Sequence, residues 1–282
     1  MGGLGNQLFQ LAGGIEIAKV SGRPAKFSTD LLDLPATAGT TKRYLGISEL
    51  LRPDEVIQRN FVSGITRLGF SRFGKSSTNL VEESLQEDVT KRVVNTTRYV
   101  QGYFQNWEIV ERSWPELEKR FQNSVSFSQI ITNPVEERIA VHMRYGDYRT
   151  NHQARAFHGL TDPSYYVESI SLALEKGEKP EVLILSDEPD HAFKELSAAG
   201  LDKELKIDFG NSKDQLGDLA LMASSTTVVA SNSSFSWWGS WIASQRSGAK
   251  VFMPTPWFSS SNAMDPALYF DEANAVVRQV IK

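Results

Sequence analysis

Three short segments hold side chains suited to gripping an anion and handling a proton: His142-Met143-Arg144-Tyr145-Gly146-Asp147, Ser186-Asp187-Glu188, and Ser231-Asn232-Ser233-Ser234-Phe235-Ser236. In the first, the Arg144 guanidinium can make bidentate, charge-assisted bonds to a phosphate, and Gly146 lets the backbone bend closely around it. The competing arrangement is an ion pair between Arg144 and Asp147 at a strand end, since such surface pairs are common. His142 lies just inside the predicted end of its strand, where a lone histidine is either a catalyst or a satisfied core residue. The serine-rich segment stands before a predicted helix, so its hydroxyls and peptide N–H groups suit an anion at a helix N-terminus. An ordinary cap, with Ser234 or Ser236 bonding the first turn, competes with that role. Asp187 can accept hydrogen bonds from the amide edge of a nucleobase such as guanine, or cap the following helix.

Other residues with chemical potential read more plainly. Trp237, Trp238 and Trp241 could stack on a sugar or base, but aromatics at this helical spacing pack into cores, and two of the three are expected there. His152 and His158 sit in a polar loop without the spacing of a zinc motif. No Asp-x-Asp pair stands at a strand end, so a divalent cation has no obvious carboxylate holder. No metal or other cofactor is expected, and positive charge for a diphosphate must come from Arg144 and helix dipoles.

The elements that position these segments follow from periodicity. From residue 138 onward, strands at 139–143, 182–185, 206–209, 226–230 and 250–253 alternate with helices at 163–174, 190–199, 214–223 and 237–245, which predicts an α/β fold with a parallel sheet. Ligands of such sheets bind beyond the carboxyl ends of the strands, where all three segments lie. Upstream, Gly2-Gly3-Leu4-Gly5-Asn6-Gln7 runs into a helix carrying Leu8, Leu11, Ala12, Ile15 and Ala18, stopped by Gly22 and Pro24. A glycine-rich turn of this kind normally follows a strand, which no residue of this sequence supplies. Residues 69–87 read as a polar loop region, 98–104 as strand-like, and 107–121 as a helix with Pro115 inside it. Asn, Ser and Pro cluster over 123–134, which sets expected domains of 1–130 and 131–282.

Bulk composition narrows the class. With 282 residues and 40% apolar content, the chain can bury one large or two medium cores. The net charge of -4 arises from 34 acidic and 30 basic residues spread along the chain, so no basic field suits nucleic acid. The absence of cysteine excludes a disulfide framework, a thiol nucleophile and a thiolate metal site. With no apolar run of about 18 residues and no leader pattern, a cytoplasmic location is expected, with peripheral attachment to the inner membrane left open.

These motifs, in this order, resemble the bacterial alpha-1,2-fucosyltransferases of glycosyltransferase family 11. The resemblance rests on Gly2 to Gln7 with Phe9 and Gln10, on Gly102-Tyr103-Phe104-Gln105, and on the His142 to Asp147 segment, similar to a His-x-Arg-Arg-x-Asp motif. It continues through His158-Gly159, Tyr165-Tyr166, Ser186-Asp187 and Ser231 to Trp238. It implies a GT-B fold of two facing Rossmann-like domains, an acceptor-side domain at 1–130 and a GDP-fucose-binding domain at 131–282. It further implies inverting, metal-independent transfer of fucose to a galactose-containing glycan, such as a surface polysaccharide precursor. By carry-over, Arg144 contacts the diphosphate, His142 and Asp187 the guanosine, and Ser233, Ser234, Phe235 and Ser236 the phosphates. Gly3, Gly5, Asn6 and Gln7 close over the donor, Asn6 orients the acceptor, and Asp147 is the nearest carboxylate to serve as base. Tyr145 departs from the pattern by replacing the second arginine, and Glu188 stands where aspartate is usual. Two other classes fit the same residues: a non-catalytic sugar-nucleotide or glycan binder, and a transferase using a different nucleotide sugar.

Overall fold

The computed structural model describes residues 2–29, 32, 44–57, 80–82, 88–95, 97, 99–131, 137–146, 149, 151–174, 179–210, 214–246, 248–259, 266–277 and 280–281. The chain forms two compact units, Met1–Thr37 with Thr41–Ser124, and Ala38–Thr40 with Val125–Lys282.

In the first unit, helix α1 (Leu4–Ser21) starts at the glycine-rich turn and buries Leu4, Leu8, Phe9, Leu11 and Ala12. Its backbone approaches two aromatic rings so closely that a Cβ at Gly13 would stand 2.6 Å from Phe104, and one at Gly14 would stand 2.5 Å from Phe27. Strands β1 (Phe27–Ser28) and β2 (Val56–Ile57) form one parallel pair, and β3 (Leu80–Glu82) and β4 (Tyr99–Gln101) form another. β3 lies inside the stretch expected as loop, and its pairing with β4 supplies the partner that sequence pattern could not show. Helix α2 (Trp107–Asn123) packs along α1 and runs through Pro115, its first turn capped by Asn106 accepting from the N–H of Glu108. Arg112 of α2 bonds Glu16 of α1 at 3.2 Å and Asp88 at 3.0 Å, so the buried Glu16 carboxylate has its compensating charge.

The second unit opens with α3 (Val125–Ile131), β5 (Arg138–Met143), α4 (His152–His158), β6 (Leu160–Thr161), α5 (Pro163–Ala173), β7 (Glu181–Ser186) and α6 (Pro189–Ala198). It continues with β8 (Lys206–Phe209), α7 (Gln215–Ser224), β9 (Thr227–Val229), α8 (Ser234–Ser244), β10 (Lys250–Thr255), β11 (Ala273–Val277) and β12 (Val280–Ile281). The sheet order is β11-β10-β9-β5-β7-β8, with every pairing parallel. Chain order therefore runs outward from β5 through β7 to β8, then returns to β9 and runs the other way. This is the doubly wound, Rossmann-like order, and it reverses between β5 and β9. β11 lies beyond the last strand expected from sequence. The fold class is the one expected, α/β with parallel sheets.

Alternation along β5 explains its two-sided burial. Ile139, Val141 and Met143 join the core built with Tyr165, Tyr166 and Ile170 of α5 and Ala192 and Leu196 of α6. His142 points to the opposite face, where its ring lies 5.0 Å from that of Phe235 on α8. Side-chain caps fix the helix starts: Asp162 accepts from the N–H of Ser164 at 2.9 Å, and Asp214 from that of Gly217 at 2.9 Å. Among the described residues, no helix is long and apolar enough to cross a membrane.

Candidate functional site

The reversal in strand order opens a crevice position at the carboxyl ends of β5 and β9, and two of the three sequence segments meet there. His142, the penultimate residue of β5, has Nδ1 2.9 Å from Oγ of Ser231, which follows β9. Oγ of Ser231 is in turn 3.2 Å from that of Ser236, whose hydroxyl donates to the carbonyl of Ser231 at 2.9 Å. Burial pushes the His142 imidazole down to about 3, with the charge of Arg144 adding to the effect. A ring held neutral in this way is a hydrogen-bonding group and no proton shuttle near neutral pH.

Helix α8 begins at Ser234, about a turn earlier than the sequence reading placed it. Its cap is Ser233, whose Oγ accepts from the N–H of Phe235, so Ser234, Phe235 and Ser236 all lie in the first turn. The amide of Ser233 is bound to the carbonyl of Ser231 at 2.8 Å. Those of Ser234 and Ser236 are first-turn donors, at the positive end of the helix dipole. Asn232 locks the preceding turn: its amide donates to the carbonyl of His158 at 2.8 Å and that of Gly159 at 3.3 Å, while Thr161 donates to its Oδ1 at 3.2 Å. The side chain is 2% exposed, so these bonds satisfy an otherwise costly buried amide.

The third segment joins from β7. Arg144 pairs with Asp187, Nη1 to Oδ2 at 2.8 Å; the Arg144–Asp147 pair considered from sequence involves a residue outside the described ones. The other carboxylate oxygen of Asp187 accepts from the backbone N–H of Tyr145 at 3.0 Å. Gly146 lies at φ +28°, and a Cβ there would stand 2.5 Å from Oδ2 of Asp187 and 2.9 Å from Nη2 of Arg144. The glycine thus makes room for the ion pair itself. Glu188, not Asp187, occupies the N-cap position of α6. Asp147 falls outside the described residues.

The candidate residues of the first unit form their own cluster on the opening turn of α1. Gly3 is its N-cap and Gly5 is buried within it. Asn6 accepts at Oδ1 from the side chain of Gln105 at 2.9 Å. Gln7 is 4% exposed, and its amide bonds the carbonyls of Gly2 at 3.0 Å and Tyr44 at 2.7 Å while its Oε1 accepts from the N–H of Gly46 at 2.8 Å. Gln7 therefore staples the segment around residue 44 to the helix.

All three tryptophans of α8 are buried, one more than expected: Trp237 and Trp241 stack with centroids 5.7 Å apart, and Trp238 meets Trp237 edge-on. They belong to packing and offer no platform for a ligand. The sequence reading missed the buried bonds of Ser231 and Asn232 within a segment it had noted, because burial is invisible to spacing. Among the described residues, no group of three His, Asp or Glu is arranged to hold a metal ion.

The family model described as Glycosyl transferase family 11 matches residues 79–268, about two thirds of the chain. Among curated proteins, an alpha-1,2-colitosyltransferase of Escherichia coli is 28% identical over 283 residues, spanning 94% of this chain and 93% of that protein. The O-antigen biosynthesis glycosyltransferase WbnK of Escherichia coli is 28% identical over 123 residues, 44% of this chain and 40% of that one. Among solved structures, POFUT1 in complex with GDP-fucose aligns with 14% identity and a TM-score of 0.43, over 90% of this chain and 95% of that one. A variant of Arabidopsis thaliana FUT1 in complex with GDP aligns with 12% identity and a TM-score of 0.41, over 90% and 68%.

Proposed function

The chain belongs to glycosyltransferase family 11, and from that premise we propose that it moves fucose from GDP-fucose to a sugar hydroxyl, O2 of a terminal galactoside, with inversion at the anomeric carbon. The observation that carries this reading is that Arg144 follows β5 and the first turn of α8 follows β9, neighbouring parallel strands at the switch point of a Rossmann-like sheet. Such an arrangement suits a diphosphate leaving group.

On this reading the acceptor oxygen bonds to C1 of fucose as the C1–O bond to the β-phosphate breaks, and GDP departs with the bonding pair. Arg144 and the amides of Ser234 and Ser236 stabilise the charge that develops on it, the kind of preorganised electrostatics that often dominates catalysis. The hydroxyl proton passes to Asp147, with Asn6 orienting the acceptor; an oxocarbenium-like transition state asks little of that base. His142, neutral, helps shape the nucleotide pocket. No metal takes part, the second unit holds the nucleotide, and the first serves the acceptor. The acceptor is a galactose-containing glycan of a surface polysaccharide precursor, a class supported by the O-antigen relative. The compartment is the cytoplasm, with peripheral attachment to the inner membrane when the acceptor is lipid-linked.

The full-length relative favours one second reading, a colitosyl donor in place of fucosyl. Measuring GDP release from GDP-fucose against the corresponding colitosyl donor, over a panel of galactosides and with EDTA present, decides between them. Release with GDP-fucose in EDTA supports the proposal. Binding without turnover would make the protein a carrier, stabilisation by UDP-sugars alone would move the donor class, and activity restored by magnesium would refute metal independence.

A further inference from the structure

Tyr145 follows Arg144 directly, yet its side chain turns away from the site and is 5% exposed in the core of the second unit. Its hydroxyl donates to Oε2 of Glu195 at 2.6 Å. His191, one turn earlier on α6, has Nε2 3.2 Å from the other oxygen of the same carboxylate, and its ring meets that of Tyr145 edge-on at 4.8 Å. Arg149 lies over the outer side of the tyrosine ring, 6.0 Å from its centroid, and is itself paired with Glu188. The backbone N–H of Tyr145 meanwhile donates to Asp187, the residue that grips Arg144.

One residue thus fastens the loop after β5 at two points, by its backbone to the end of β7 and by its side chain to α6. We infer that Tyr145, through Glu195, is a positioning residue that holds the Arg144–Asp187 pair in the orientation the diphosphate requires. This deepens the function proposed above and rests on it for its catalytic consequence. The physical basis is local. Without the anchor at α6, the described part of the loop leans on two partly exposed ion pairs, Arg144–Asp187 and Arg149–Glu188, and on the backbone bond to Asp187. A displacement of about 1 Å at a charge-stabilising group can cost on the order of 100-fold in rate. Burial of the phenol makes the tether durable: burial and the bond to Glu195 push its ionisation well above the ordinary tyrosine range.

The test compares Tyr145→Phe, Glu195→Ala and Glu195→Gln with the parent. Tyr145→Phe and Glu195→Ala are expected to lower kcat about tenfold while KM for the acceptor stays within twofold and the protein remains folded by circular dichroism. Glu195→Gln keeps an acceptor oxygen and should recover part of the loss, and Tyr145→Phe combined with Glu195→Ala should lose no more than either alone. Hydrogen exchange at the amide of residue 145 reads the Asp187 bond without any substrate, and is expected to accelerate in Tyr145→Phe. Unchanged exchange with kcat within twofold of the parent would overturn the inference, as would additive losses in the double variant. A parent protein that neither binds GDP nor releases it from GDP-fucose would sink the proposed function, while accelerated exchange in the variant would still support the tether.

Discussion

Arg144 and Asp187 face each other across neighbouring strand ends, Nη1 to Oδ2 at 2.8 Å, with 25% and 27% of their side chains exposed. A guanidinium has five donor N–H groups in a fixed fork, so a single carboxylate contact leaves donors for a phosphate while fixing the fork's direction. Arg144→Ala is therefore expected to lower kcat by about 100-fold or more. Its far-ultraviolet circular dichroism should match the parent, because a partly exposed pair contributes little to stability. GDP release measures the first and a thermal melt the second. Activity within a few-fold of the parent would remove Arg144 from the chemistry.

Asp187 holds Arg144, and the proposed function adds a second role to be tested apart from it, reading guanine. Asp187→Asn keeps an acceptor for the N–H of Tyr145 but loses the charge opposite Arg144. If holding Arg144 is its task, kcat/KM falls about tenfold and GDP is still preferred over ADP and UDP in thermal-shift competition. Loss of that preference would assign the carboxylate to the base instead, since a site built to bond a polar edge discriminates strongly against ligands lacking it.

Gly146 has no room for a side chain. At φ +28°, with a Cβ only 2.5 Å from Oδ2 of Asp187, Gly146→Ala combines backbone strain with a clash against the ion pair. A destabilisation of about 1–3 kcal/mol is expected. Urea unfolding would register it, and transfer activity should fall more than the folded fraction does. A variant as stable and active as the parent would mean the loop adopts another path.

His142 sets a pH signature. The folded ring titrates at about 3 and the ordinary value is 6.5, so between these limits the unfolded chain binds a proton that the native state refuses. The stability that this neutral ring contributes is complete above pH 6.5 and is lost as the pH falls through that window. Urea midpoints measured from pH 7 to pH 4 should therefore decline less steeply in His142→Asn than in the parent. Parallel curves would contradict a buried, neutral histidine.

Much of the second unit was legible in the sequence because its signals are local. Continuous apolar runs such as 182–185 mark strands covered on both faces, and Asp162-Pro163 states a helix start in two residues. Placing the three polar segments at strand ends then required only the rule for open sheets. What escaped depends on partners remote in the chain. Glu195 is an unremarked helix residue until Tyr145 is brought to it, and Asn232 reads as a polar turn residue until residues 158–161 enclose it. The early start of α8 was missed for a different reason. Serines that cap well also fit a first turn, so only the bond from Phe235 to Ser233 reveals which one is the boundary. In the first unit the amides of Gln7, Gln10 and Gln105 all bond across the chain, and spacing alone gives no hint of their targets.

The order of strands also governs how the protein is born. β5 must pair with β9 through Ile139 and Thr227, yet β7 and β8 emerge from the ribosome in between. During synthesis β5 therefore has one hydrogen-bonding edge paired early and the other waiting for a distant partner, a topology that folds slowly and invites aggregation. Because His142 meets Ser231 only when that gap closes, the candidate site matures after part of its scaffold. Slower translation or chaperone supply over this interval should raise the yield of active protein more than it raises the yield of total protein.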